Sequence, residues 1–507
     1  MQATLRTAAF AFLSVLGGCS FAPTYKTPSS APPAEVYAEA GDWRMADPVD
    51  NRARGAWWTL FQDPELDALE AKVGGANQNI KAAFARLQEA RAATRIARAD
   101  LFPSLTVGSS ATRQRISQNS PSYLPGINPT FNNFDIEADL SYEVDLWGRV
   151  RNTVNAAKAN QQASAADLAS LDLEQHAELA TDYYTLRSED AEQVLLDNTV
   201  DDYARSLELT EHLYQGGAAA VADVDQARAQ LEGARTQAAD VALQRSQTEH
   251  AIAVLVGENP SRFHLAPKPL PQDSAPPQID LGLPSTLLER RPDVAAAERR
   301  VAAANAQIGV ARAAYFPVFS LAAATGFDST RTSTLLNAPS RVWSAGPAGL
   351  LTVFDAGRHR AQSAQAHAQY DEQVADYRAT VLIAYQEVED NLAALRRLEQ
   401  ESLSEAAAVM ATGKALEQAR YRYKAGLVTY LEVATTETIA LQAQQSRVNI
   451  LNRRMDASVL LVKALGGGWR IDDSVGIRRD QRTRRFSGAL HRSIGAHGDA
   501  AEISAFP

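Results

Sequence analysis

Residues 134 to 146 read FDIEADLSYEVDL, and the run alternates. Phe134, Ile136, Ala138, Leu140, Tyr142, Val144 and Leu146 are apolar or aromatic, and Asp135, Glu137, Asp139, Glu143 and Asp145 stand between them. A period of two predicts an extended strand with one apolar face and one acidic face. The run is 13 residues long, and a tilted strand needs only about 9 to 11 to cross a bilayer. A half-exposed strand of a soluble antiparallel sheet carries the same pattern, so this stretch alone leaves both readings open. Gly148 and Arg149 follow, then an alanine- and glutamine-rich run without Pro or Gly as far as Gly216 and Gly217. The spacing predicts a strand that feeds directly into a long helix.

Recurrence favours the membrane reading. Gly148-Arg149 returns as Gly357-Arg358, 209 residues later, after a second apolar run that ends Leu350-Leu351-Thr352-Val353-Phe354. The same offset carries Tyr214 onto Tyr423, Gly217 onto Gly426, Asp223 onto Glu432, Val224 onto Val433 and Gly257 onto Gly466. Upstream the offset is 214, matching Leu101-Phe102-Pro103 with Tyr315-Phe316-Pro317. We read one large unit used twice.

The chain has 507 residues and a formal net charge of -10. No basic stripe is evident in its body, so nucleic acid, whose phosphates need one, is set aside as a partner. Beyond the extreme N-terminus no apolar run reaches the 18 or so residues of a spanning helix. Any crossing is therefore expected to be by strands.

The N-terminus has the layout of a secretory signal: Arg6, an apolar stretch from Ala8 to Leu16, then Gly17-Gly18-Cys19-Ser20. Leu-Gly-Gly-Cys resembles the bacterial lipobox, in which the cysteine becomes the lipidated first residue. Cys19 is the single cysteine of the chain, so it forms no internal disulfide and is best explained as an acyl attachment site. The plainer reading is an ordinary signal peptide with an incidental cysteine. Ser20 in second position, instead of Asp, fits the rule for outer-membrane sorting that the lipobox resemblance implies.

The expected organisation is a signal peptide at 1–18, a lipid anchor and extended tether at 19–62, a first repeat at 63–257, a Pro-rich linker at 258–286, a second repeat at 287–469 and a disordered tail at 470–507. The first repeat begins with a helix from about Pro64 to Leu101, with a soft spot at Gly74-Gly75. Asp63 caps that helix and Pro64 takes its first position. Strands are expected at about 104–115 and 134–146, joined by the polar, Pro-rich loop between them. The helix that returns after Gly217 carries small or apolar residues at 224, 227, 231, 234, 238 and 241, the alternating three-and-four step of a coiled coil. In the second repeat strands are expected at about 318–327 and 343–354.

Several landmarks then stand together: PTYKTP after Gly-Cys, WWTLFQDPELD, EVDLWGR, LLERRPDVAAAE, NAQIGVARAAYFP, FDAGR, RYKAGLVTYLEV and ALGGGW. Spread over residues 19 to 469, they resemble the TolC-like outer-membrane efflux ducts, and among them the lipoprotein (OprM/NodT-like) branch of tripartite efflux systems. The resemblance implies a homotrimer in which four strands per chain build one twelve-stranded membrane β-barrel, continued by a long α-helical coiled-coil barrel across the periplasm. Four strands cannot close alone, and lipid does not tolerate open strand edges. The tail beyond 470 has no counterpart in the pattern.

On this reading Asp135, Glu137, Asp139, Glu143 and Asp145 line the lumen. The two helix turns form the periplasmic gate and adaptor contact, through Tyr214, Gly217, Asp223, Tyr423, Gly426 and Glu432. Glu432 is favoured because related ducts carry their aperture acids on the second-repeat turn; where some have another acid, three residues on, this chain has Thr435. The bland alternative is a pair of ordinary capped turns. Partners implied are a periplasmic adaptor, an inner-membrane pump and outer-membrane lipid, with no cofactor and no metal. The eight histidines are scattered and no phosphate loop, zinc signature or nucleophile elbow occurs, so an enzyme is not expected. The duct would pass drugs or other toxic compounds, aromatic acids among them. An autonomous outer-membrane porin or a secretion channel is the alternative.

Overall fold

The computed structural model describes residues 20–30, 37–39, 55–121, 124–126, 128–279 and 291–467. Cys19, the signal region, the 280–286 end of the Pro-rich linker and the tail at 470–507 lie outside these residues. Two compact units are distinguished. One holds the segment up to Ser30, Ala85–Ser164 and Ala296–Ala379, and the other holds Ala31–Phe84, Ala165–Ala295 and the chain from Thr380.

In chain order the elements are helices α1 (Pro64–Ala76) and α2 (Gln78–Ala99), strands β1 (Ser104–Arg115) and β2 (Thr130–Val144), and helices α3 (Arg149–Gln215), α4 (Val221–Leu255) and α5 (Pro292–Ala313). Strands β3 (Val318–Ser329) and β4 (Arg341–Leu350) and helices α6 (Arg358–Lys424) and α7 (Tyr430–Ala464) complete the chain. Helices α3 and α6 both have 67 residues and begin 209 apart, and α4 and α7 both have 35 and begin 209 apart. No helix among the described residues is long and apolar enough to cross a membrane.

The first unit contains the whole sheet. Its four strands are antiparallel in the order β1-β2-β3-β4, so β1 and β4 are both free edges, and every residue of each is exposed. Strand β2 starts four residues before the expected 134 and stops at Val144, because the following residues close the turn into α3, with Leu146 N–H donating to Val144 O. Strand β4 covers Arg341–Leu350 where 343–354 was expected. Its last residue pairs with Val318, the first of β3, so residues 351–354 have no neighbouring strand to bond.

Beneath the sheet, Val150, Ala156, Val301 and Ile308 are buried. Residues 20–30 are non-helical, as a tether should be, but they are docked on this unit. Phe21 stacks on Phe316 with centroids 4.5 Å apart, Asn305 donates to Pro23 O at 2.8 Å, and Tyr25 donates to a Glu298 carboxylate oxygen at 2.5 Å. Gly309 makes room for this strap, since a Cβ there would lie 2.7 Å from that of Ala22.

In the second unit the expected continuous first helix is two helices. The break falls at Asn77, past the soft spot placed at Gly74-Gly75. Asn77 is extended (φ -60, ψ 128), and its side-chain oxygen accepts from the N–H groups of Asn79 and Ile80 at 2.8 and 3.2 Å, capping α2. Its amide donates to Gln175 Oε1 and Leu255 O, both at 3.0 Å. A buried cap with every polar atom used outweighs the helix propensity around it. Leu66, Val73, Leu179, Leu186, Leu196, Ile252, Leu392 and Leu461 form the packed interior. On α4 the buried residues Val224, Ala227, Leu231, Ala234 and Val241 follow the coiled-coil step, and their small side chains let neighbouring helices approach closely. The described part of the Pro-rich linker is fastened down too: Leu265 N–H donates to Glu249 at 2.6 Å and Leu270 N–H to Arg187 O at 2.9 Å.

Candidate functional site

The strand register sorts the sheet into two faces. Residues paired directly across strands share a side, so Leu105, Leu140 and Ala323 lie together, as do Val107, Ala138, Thr325 and Trp343. That face also carries Phe134, Ile136, Tyr142, Val144, Phe319, Leu321 and Phe327. The opposite face carries mostly Ser, Thr, Gly and Ala from β1, β3 and β4, with Gln114, Val318, Asp328, Val342 and Leu350 among them, and the acids of β2. In its rows Asp139 lies between Thr106 and Ala324, Glu137 between Gly108 and Gly326, and Asp135 between Ser110 and Asp328.

The five sequence-chosen acids therefore divide. Asp135, Glu137 and Asp139 sit mid-strand among small neighbours, and the Asp135 carboxylate accepts from the Ser110 hydroxyl. Glu143, near the helix end of β2, is clamped by Arg149, whose Nε and Nη2 donate to its two oxygens at 2.8 and 2.5 Å. Asp145 is not on the strand at all. It lies past Val144, where its Oδ2 accepts from Arg151 N–H at 2.9 Å and from Arg151 Nε at 3.2 Å, an acid at the start of α3 where the helix dipole favours one. Asp328, directly opposite Asp135, was missed because β3 is mostly small residues and hides its alternation.

The second candidate region is the pair of helix turns, α3 to α4 and α6 to α7. Each closes the same way. Ala218 N–H donates to Leu213 O at 2.7 Å and Leu427 N–H to Arg422 O at 2.9 Å, with Gly217 (φ 74) and Gly426 (φ 68) supplying the left-handed residue. The side chains placed on these turns are less alike. Tyr214 is half exposed, whereas Tyr423 is buried, donates to Thr210 Oγ1 at 3.2 Å and meets Tyr430 edge-on at 5.5 Å. Asp223 accepts from Ala220 N–H at 3.3 Å, which makes it a cap for α4. Glu432 instead faces Arg422, whose Nη1 lies 2.5 Å from its carboxylate.

Behind the turn lies a network absent from the sequence reading. Glu437, fully buried on α7, accepts from Arg420 Nη2 at 3.0 Å, from Ser206 Oγ at 3.1 Å and from Tyr430 OH at 3.4 Å. Arg420 reaches on to Asp202 of α3 at 3.2 Å. Burial, partly offset by Arg420, raises the pKa of Glu437. The signal was present: Glu437 follows Tyr430, Val433 and Ala434 on the buried stripe of α7, where an acid needs a cation. Ala227, Ala419, Tyr423, Tyr430, Val433 and Ala434 pack around the same point, with Leu207 and Leu213 against them. This end of the four helices is thus held by one buried carboxylate, its arginine and two tyrosines. Among the described residues no group of three metal-ligating side chains occurs.

The outer membrane efflux protein family model matches the chain twice, at residues 72–258 and 283–467. The probable efflux pump outer membrane protein TtgC of Pseudomonas putida is 33% identical over 458 residues, 90% of this chain and 94% of that protein. Outer membrane protein OprJ of Pseudomonas aeruginosa is 32% identical over 476 residues, covering 92% and 97% respectively. The solved outer-membrane channel OprN superposes with a TM-score of 0.80 at 30% identity, over 89% of this chain and all of that one. With a two-faced sheet feeding paired long helices, and matches of this extent, the chain belongs to the outer membrane efflux protein family.

Proposed function

We propose that three copies of this chain form the exit duct of a tripartite efflux system. The observation that carries this reading is the four-stranded sheet with two free edges, one apolar face and one polar, acid-bearing face. In lipid every strand edge must be bonded, and three copies supply a closed barrel of twelve strands. The apolar face then meets lipid and the acids line the lumen, since a charge turned to the bilayer midplane costs about 2 kcal/mol or more. Cys19 anchors the mature chain to the membrane by its acyl groups. The helices continue the passage into the periplasm, and the turn bearing Tyr423 and Glu432 closes it until an adaptor docks.

The duct performs no chemistry. An inner-membrane pump supplies the energy and selects the cargo, here drugs or toxic compounds that include aromatic acids. The test is a deletion strain complemented with the full chain. Sensitivity to drugs, solvents or aromatic acids that is restored only when adaptor and pump are also present supports the reading. Small-solute uptake by the chain alone, with no effect on resistance, would make it an autonomous porin.

A further inference from the structure

The apolar face of the sheet has a sharp polar boundary at one end. All four helix connections join the sheet at the other end, through Ser104, Val144, Val318 and Leu350, and the strand ends at Arg115, Thr130, Ser329 and Arg341 lie opposite. The apolar band of β2 runs from Val144 to Phe134, about 33 Å along the strand and about 25 Å in height at a tilt near 40°, the expected height of a lipid-facing band. Beyond it, on the same face, the residues are Asn132 paired with Arg113 and Thr130 paired with Arg115. On β4, Arg341 shares this face with Trp343, and Arg341 pairs with Phe327. Trp343 is 76% exposed; by register it lies in the row of Ala138 and Arg341 in the row of Ile136, so this aromatic and cation stand at the loop end of β4, which begins at Arg341, and an aromatic beside a cation at a strand end is a marker of a membrane interface.

These arginines lack anions. Arg113, Arg115, Arg331 and Arg341 are all exposed, and among the described residues none has an ion-pair partner. At the helix end of the sheet, by contrast, Arg149 and Arg151 are paired with Glu143 and Asp145. A neighbouring copy cannot supply the missing charge from its loops, because neither 116–129 nor 330–340 contains an Asp or Glu. The nearest strand acids, Asp135 and Asp328, are on the opposite face.

From this we infer that Arg113, Arg115 and Arg341 form a docking site for the phosphate groups of a phosphorylated glycolipid in the membrane leaflet at the loop end of the sheet. The inference rests on the duct reading, which turns this face to lipid and the helices away from the outer leaflet. Guanidinium groups bind phosphate bidentately, and edge strands β1 and β4 bring the three arginines to one seam when copies close edge to edge. The site would hold lipid at each of three seams, with the acyl chains lying on the apolar face beside Trp343.

The test uses the full-length trimer, stripped of lipid in detergent and examined by native mass spectrometry with diphosphorylated lipid A or its enzymatically dephosphorylated form. The parent is expected to retain the phosphorylated lipid and to prefer it strongly. The triple variant Arg113→Gln, Arg115→Gln, Arg341→Gln should lose about a hundredfold in affinity, with each charge near the surface contributing comparably. Equal binding of both lipids by the parent, displacement by millimolar inorganic phosphate alone, or full retention by the triple variant would overturn the site. Conductance of the parent trimer is measured in parallel: a conducting parent without lipid preference refutes the docking site and leaves the duct standing. Should the triple variant not assemble, Arg341→Gln alone and the two-lipid comparison on the parent still decide.

Discussion

At the scale of single residues, the half-buried acids of the helical unit set the most direct expectation. Burial, with the charge of Asp182 pushing the same way, raises the Asp456 carboxyl to about 7, and burial with Glu178 raises Asp182 to about 6. Both folded values exceed that of an unfolded aspartate, so the folded chain binds more protons between about pH 4 and 7. Stability therefore falls as pH rises through that window and is lowest above it. Asp456→Asn removes the charge, and thermal melting should rise by about 2–4 °C at pH 8, with the gain shrinking towards pH 5. A gain that is the same at both pH values, or a loss at pH 8, would contradict it. Asp182 was invisible to a sequence reading because α3 mixes polar and small residues along its length, and Asp456, although it stands between the buried Met455 and Ala457 of α7, shows itself turned inward only in the packed structure. Glu437 was more legible, as an acid on an apolar stripe, but its partner Arg420 lies 17 residues away on another helix.

At the scale of elements, the strand β2 and the Gly-turns could be read almost directly, because alternation and glycine placement are local signals. What could not be read were element ends decided by tertiary partners: the Asn77 break, and the stop of β4 where β3 runs out. The strap at 20–30 belongs here as well. Its Phe21 stack and backbone bonds hold it to the helices, so the expected acyl group on Cys19 supplements an attachment that already exists. Mass spectrometry should find the mature chain beginning at an acylated Cys19. Cys19→Ala should lower the yield of assembled protein more than transport per assembled trimer, since one lipid chain anchors only moderately; equal losses in both would assign Cys19 a part in conduction. The second turn carries the other element-level expectation. With Tyr423 bonded to Thr210 and Glu432 to Arg422, the variant Tyr423→Phe, Glu432→Ala should raise single-channel conductance severalfold in planar bilayers without adaptor. Conductance unchanged in an intact trimer would place the constriction elsewhere.

For the whole molecule, the proposed duct takes its expected selectivity from the division of the β2 acids. In a trimer each acid occurs three times, and carboxylates lining a narrow passage with low-dielectric walls raise the local concentration of cations. The five acids do not contribute equally. Glu143 is neutralised by Arg149 and Asp145 by Arg151, whereas Asp135, Glu137 and Asp139 have no arginine among their cross-strand neighbours, and Asp328 doubles the charge opposite Asp135. Reversal potentials in a salt gradient should therefore show cation preference in the parent. Replacing Asp135, Glu137 and Asp139 with Asn should weaken that preference, adding Asp328→Asn should remove most of what remains, and Glu143→Gln with Asp145→Asn should change it little. Anion preference in the parent would turn the acids away from the lumen. A larger effect from Glu143 and Asp145 than from the mid-strand acids would place the selective region at the helix end of the sheet.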